Sequence, residues 1–253
     1  MLILPKDIPK EVGPKNWLTD LSINGAMELL RQQFPDIGAL INSQWGDTLQ
    51  FDRADSQRWI QIININDNHW VTAAQGFGCN PNNVLLYDSL ERNEPHPHVV
   101  YCIAQICKTP IGKLSISVMP CQVQKDGFNC GVYSIAFSTV LAFDLNPSEM
   151  RFDAAIMRDH LRKCLSLGKI EPFPMLKSTI SCKKWRPKKI ISFDLFCKCQ
   201  MPWYDPNCVV EKFNLLVVCK ACKLSFHKGC EKIPEQALKS TKVDWICSTC
   251  QRN

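Results

Sequence analysis

Eight of the chain's 15 cysteines fall between Cys197 and Cys250, in a short tail that also holds His227. Their spacing constrains the fold more than any other feature. The tail contains Cys197-x-Cys199, Cys219-x2-Cys222, His227-x2-Cys230 and Cys247-x2-Cys250. Zinc takes four soft or borderline donors in a tetrahedron, and a C-x2-C spacing sets two of them on one turn. Four such pairs suffice for two structural zinc ions. So short a segment has little apolar core, so metal binding is expected to supply much of its folding energy. Cys208 falls outside the pairs and reads as a spare thiol.

The other seven cysteines scatter from Cys79 to Cys182 with no short pairing pattern. In a secreted chain such a count would suggest disulfides; in a reducing compartment it suggests metal binding or catalysis. The N-terminal stretch MLILPKDIPKEV has four apolar residues before Pro5 and Lys6, too few for a signal-peptide core. An intracellular chain that is not secreted is therefore expected. No apolar run reaches the length of about 18 residues that a transmembrane helix needs, so no membrane role is expected. Charge is uneven. Residues 1–182 carry 16 Lys and Arg against 18 Asp and Glu, whereas residues 183–253 carry 14 against 6. A basic end suits an anionic partner. Its first part, KKWRPKK at 183–189, reads as a solvated linker, or more sharply as a nuclear-import or nucleic-acid contact.

Hydrophobic periodicity organises the rest. In NWLTDLSINGAMELLRQQFP, Ile23, Ala26, Met27 and Leu30 form a helical stripe, with Thr19 or Ser22 as the cap and Pro35 as the stop. RWIQIININDNHWVTAAQG predicts two strands joined at NDN, and NNVLLYDS a further short strand. Residues 97–107 predict a helix and KLSISVMP an alternating strand. CGVYSIAFSTVLAF is long and apolar enough for a buried helix, and FDAAIMRDHLRKCL is amphipathic. Strands and helices in this mixture predict an α+β domain.

A thiol protease needs a thiolate, a histidine to hold its proton, a group that orients the histidine, and donors where the oxyanion forms. The candidates stand in the chain order His69, Asp88, Gln124, Cys130. Cys130 opens the apolar helix, where the positive end of the helix dipole favours a thiolate. His69 begins a strand and Asp88 ends one, which suits a fixed carboxylate–imidazole pair. Each residue alone has a plainer reading: a surface histidine, a turn aspartate, a core thiol. The joint pattern separates them from it.

NWLTDLSIN, DNHWV, LLYDSL and PCQVQKDGFNCGVY together resemble the papain-like proteases of ubiquitin-like proteins, the SUMO-protease (sentrin-specific protease) family, over about residues 15–165. The resemblance implies a papain-like domain with a central mixed sheet packed with helices. It implies Cys130 as nucleophile, His69 as general base, Asp88 as orienter and Gln124, six residues before the cysteine, as oxyanion donor. Gln122 lies off that register. Trp17 and Trp70 match the tryptophans with which the family clamps a Gly-Gly tail. One departure stands out: the family usually has Asp before the cysteine, and this chain has Asn129.

The tail's order of four cysteines, one histidine and three cysteines, with Phe226 before His227 and Trp245 two before Cys247, resembles the PHD finger. That implies a cross-brace, with Cys197, Cys199, His227 and Cys230 on one zinc ion and Cys219, Cys222, Cys247 and Cys250 on the other. Some PHD fingers read methyl-lysine through an aromatic cage. Tyr204 could form one wall, but Ser225 and Leu216 occupy the other wall positions, and Lys220 stands where tail-binding fingers often carry an acid. A structural or protein-docking finger is an equal reading.

The expected organisation is a cysteine peptidase domain over residues 1–182, a basic linker over 183–194 and a two-zinc PHD finger over 195–253. The expected activity is peptide or isopeptide hydrolysis after the Gly-Gly tail of SUMO or a related modifier. The enzyme is expected to be a nuclear or nucleocytoplasmic monomer, with histone or chromatin contact through the finger. Two other readings stay open: a processing protease of mobile-element or viral type, and a non-catalytic chromatin adaptor that binds a modifier and a protein tail.

Overall fold

A computed structural model describes residues 7–48, 50–78, 82–107, 112–176, 185–203, 216–239 and 244–252. The chain divides into two compact units, one of residues 1–108 and 115–191, the other of residues 109–114 and 192–253. Tyr204 and Cys208 lie outside the described residues.

The larger unit begins with α1 (Ile8–Glu11) and α2 (Asp20–Gln33), followed by β1 (Gly38–Ala39), α3 (Gln44–Asp47), β2 (Trp59–Ile65), β3 (His69–Gln75) and β4 (Val84–Tyr87). It continues with α4 (Pro97–Ile106), β5 (Lys113–Val118), α5 (Cys130–Ala142) and α6 (Met157–Leu167). The stripe on α2 is buried as its period predicts, but its cap differs. Thr19 is the N-cap residue without a capping side-chain bond; its hydroxyl donates to Glu11 Oε2 at 2.7 Å instead. The NDN turn joins β2 to β3 with Asn66 and Asp67 both at positive φ, a conformation that Asn and Asp tolerate well. Pairing is mixed: β1–β2 and β4–β5 are parallel, β2–β3 and β3–β4 antiparallel. β2 is buried at every position, as expected of a strand covered on both faces. α5 is buried along its whole length and packs on β2 and β3. The α+β architecture is the one the sequence predicts.

The basic segment departs from a solvated linker. Trp185 packs against Gly78 and joins the rim of the core. Lys188 donates its N–H to Val118 O at 2.8 Å and pairs its ammonium with Glu91. Residues Lys189–Phe196 form the strand β6. A tryptophan with an apolar face to bury outweighs the solubility of its basic neighbours.

The smaller unit holds β7 (Met201–Pro202), β8 (Leu216–Val218), β9 (Ser225–His227) and α7 (Glu235–Lys239). β7 pairs with the end of β6, and β8 with β9, both antiparallel. Among the described residues its core is small: Phe226 meets Trp245 edge to face at 5.5 Å between centroids, beside Cys219, Cys247 and Ala237.

Candidate active site and metal centres

Strand pairing brings two candidate residues to one end of the sheet. β3 starts at His69, β4 runs antiparallel beside it with Thr72 opposite Tyr87, and Asp88 follows directly. His69 Nε2 lies 2.7 Å from Asp88 Oδ1, and both side chains are buried. Asp88 Oδ1 also accepts the N–H of Leu90 at 2.8 Å. A carboxylate held in this way fixes the imidazole and stabilises its cation. His69 Nδ1 is buried and completes no hydrogen bond, while Cys130, the first residue of α5, interacts with the same ring. Burial pulls the His69 pKa down, but the hydrogen bond to Asp88 and the nearness of Asp88 and Cys130 outweigh it, and the net shift is upward.

The loop before Cys130 is fastened by a network that sequence reasoning missed. Asp126 Oδ1 accepts the N–H groups of Phe128 and Asn129 at 3.0 and 2.8 Å, and Oδ2 accepts Asn129 Nδ2 at 2.8 Å. Asn129 Oδ1 in turn accepts Arg158 Nε at 2.8 Å. Asn129 therefore donates to a carboxylate and accepts from a guanidinium. An ionised aspartate could only accept, which accounts for the departure at this position. Arg158, on α6, is 6% exposed. It also donates to Phe128 O and Gly13 O and lies over the Phe128 ring at 5.3 Å. Its signal was present in the sequence: Arg158 falls on the same helical face as Leu161 and Leu165, which are buried. We expect Arg158→Met to cost about 2–4 kcal/mol, because three acceptors lose a buried donor. Urea unfolding measures that loss, and Arg158→Lys should recover only part of it.

Gln124 is buried, with Oε1 accepting Ser89 Oγ and Nε2 donating to Asp126 O, both at 2.6 Å. Gln122 is turned elsewhere, donating to Tyr133 Oη and Phe152 O. Trp70 is held by a 3.1 Å bond from Nε1 to Leu18 O. A Cβ on Gly131 would come within 3.0 Å of Leu18 and 3.2 Å of Trp70, so the start of α5 packs directly against that indole. Trp17, Leu18, Trp70 and Cys130 line one cavity of about 320 Å³.

In the smaller unit, the donor atoms of Cys197, Cys199, His227 and Cys230 lie within 4.8 Å of one another, as do those of Cys219, Cys222, Cys247 and Cys250. His227 Nε2 lies 3.2 Å from Pro202 O, which assigns the proton there and leaves Nδ1, 3.3 Å from Cys199 Sγ, as the ligand atom. Cys247 N–H donates to Cys219 Sγ at 3.3 Å. Burial pushes the Cys199 thiol up to about 12, and a bound divalent cation is what ionises such a thiol. Soft donors in two tetrads fit zinc.

Residues 54–166 match the family model "Ulp1 protease family, C-terminal catalytic domain", and residues 197–250 match "PHD-finger". No curated protein matches the chain. Among solved structures, the chain is similar to the C-terminal Ulp1 protease domain in complex with SMT3, the yeast ortholog of SUMO. That likeness has 20% identity, covers 63% of this chain and 81% of the other, and has a TM-score of 0.48. A Ulp1 structure with its catalytic cysteine oxidised to a sulfonic acid has 20% identity, 65% and 87% coverage and a TM-score of 0.49. The Xanthomonas campestris effector XopD bound to ubiquitin has 17% identity, 59% and 91% coverage and a TM-score of 0.42. The chain thus carries a cysteine protease catalytic domain of the Ulp1 family, followed by a PHD finger.

Proposed function

We propose that this protein hydrolyses the peptide or isopeptide bond that follows the Gly-Gly tail of SUMO or a related ubiquitin-like modifier. The observation that carries the reading is the buried His69–Asp88 pair at 2.7 Å with Cys130 against the same imidazole, at a cavity walled by Trp17 and Trp70. Flat aromatic walls leave room for glycine and exclude a Cβ, so the tail can reach the thiol only through glycines.

His69 takes the Sγ proton, and the thiolate attacks the carbonyl carbon of the terminal glycine. The oxyanion meets the backbone N–H of Cys130, which has no acceptor in the first turn of α5, and the second N–H of Gln124. His69 returns the proton to the leaving amine as the C–N bond breaks, leaving a thioester on Cys130. Water, losing a proton to His69, then hydrolyses the thioester and frees the thiol.

The reading divides the chain into a peptidase domain at 1–182, a connecting segment at 183–194 and a finger at 195–253. Two structural zinc ions would hold the finger, one on each tetrad. The finger would direct the enzyme to a histone or another chromatin protein in the nucleus. The test is a panel of SUMO, ubiquitin and other ubiquitin-like proteins bearing a C-terminal electrophile. A SUMO-type probe should form an adduct. Reaction with no member of the panel, while iodoacetamide still alkylates Cys130, would contradict the reading.

A further inference from the structure

Asp88 and Gln124 come from separate segments of the chain, and one residue joins them. Ser89 directly follows Asp88 and is buried, 35 residues before Gln124. Its carbonyl accepts the backbone N–H of Gln124 at 2.9 Å, and its Oγ donates to Gln124 Oε1 at 2.6 Å. The sense of the amide follows from its other end. Asp126 O can only accept, so the group 2.6 Å from it is Nε2. Oε1 then faces Ser89, and the serine hydroxyl is the donor. Asp126 is itself fixed to the loop before the nucleophile, since its carboxylate accepts the N–H groups of Phe128 and Asn129. The amide is thus pinned at both ends. One Nε2 N–H is taken by Asp126, and the other is left for the oxyanion of the mechanism proposed above.

We infer that Ser89 is a positioning residue for the hydrolysis: it holds the Gln124 amide where the oxyanion forms, and so ties the oxyanion site to the strand end that presents Asp88. The inference rests on the role of Gln124 in the Gly-Gly reading given above. An oxyanion site acts through donors that are fixed before charge develops. Replacing Ser89 by alanine leaves Oε1 buried without that donor, and the amide is then held through Nε2 alone. The last torsion of a glutamine side chain has only broad preferences, so the amide turns and its second N–H leaves the oxyanion. Asp88 keeps its own partners, because its carboxylate is bonded to His69 and to the Leu90 N–H.

The test uses the full-length protein and the modifiers of the panel above, each with a fluorogenic amide on its terminal glycine. Ser89→Ala should lower kcat about tenfold and leave KM within about twofold. Alkylation of Cys130 by iodoacetamide needs the thiolate but forms no oxyanion, so its rate should stay within about twofold of wild type. A serine that only stabilised the fold would lower Tm without separating these rates. Gln124→Ala should itself lose kcat, and adding Ser89→Ala to it should cost less than about twofold more. An unchanged kcat in Ser89→Ala, an equal loss in the Gln124→Ala background, or a parallel fall in the alkylation rate would overturn the inference and leave the Gly-Gly reading standing. A wild type that cleaves no member of the panel, with Cys130 still alkylated, would overturn both.

Discussion

Asp88→Asn should lower kcat/KM for a Gly-Gly substrate by about 10²- to 10⁴-fold while leaving the fold intact. The substitution keeps the size of the side chain and removes its charge. Asp88 accepts the His69 Nε2 proton and the Leu90 N–H through the same oxygen. With an amide there, the imidazole is no longer held in one tautomer, and the imidazolium formed during thiol ionisation loses its counter-charge. The His69 pKa should fall as well. Burial is the largest influence on it and acts downward; Asp88 and Cys130 overcome that in the wild type. An NMR titration of the His69 ring reads this directly. Stability follows with a definite sign. A histidine whose folded-state pKa is raised contributes fully below its unfolded value of about 6.5, and the contribution fades as pH climbs through the folded value. Asp88→Asn should therefore lose more Tm relative to wild type near about pH 5.5 than near about pH 8.5.

Chelation of divalent metal should unfold the PHD finger and spare the sheet of the larger unit. Among the described residues, the finger's core is little more than Phe226, Trp245 and Ala237 around two cysteines, a small core for a domain of this length. Zinc binding in small domains is worth about 10–16 kcal/mol and is inseparable from folding. The Ser225–His227 strand and the Trp245 segment should therefore lose hydrogen-exchange protection when phenanthroline is added. The buried β2–β3 ladder should keep its own. Cys247→Ser should reproduce the effect without chelator, because Cys247 is both a tetrad member and part of that small core.

Local pattern carried much of this architecture. The NDN tripeptide marked the hairpin that starts β3 at His69, and the apolar run after Cys130 marked α5, because both signals are local and strong. Ligand spacing marked the finger, because zinc geometry tolerates few arrangements. What local pattern could not carry was contact across the chain. Arg158 meets Asn129 from 29 residues away, and a charged residue on an amphipathic helix reads as solvent-facing until its partners are known. Its helical spacing from the buried Leu161 and Leu165 was the one local signal against that reading, and it went unused. Asp47 and Asp67 share a cavity with Asp20 only because α2, α3 and the β2–β3 turn converge there. The KKWRPKK segment misled for a related reason: six polar or proline residues hid the packing of Trp185. Asn129 was legible as a departure but not as a fit, since its meaning depends on Asp126 and Arg158 together.

The central claim is that Cys130 is the nucleophile of a Gly-Gly-directed protease. Its most direct measurement is the intact mass of the protein after incubation with a SUMO probe carrying a C-terminal electrophile, for wild type and Cys130→Ala side by side. The account predicts one probe adduct on the wild type, mapped to Cys130, and none on the variant. Equal labelling of the two proteins, or an adduct mapped to another cysteine, would contradict it.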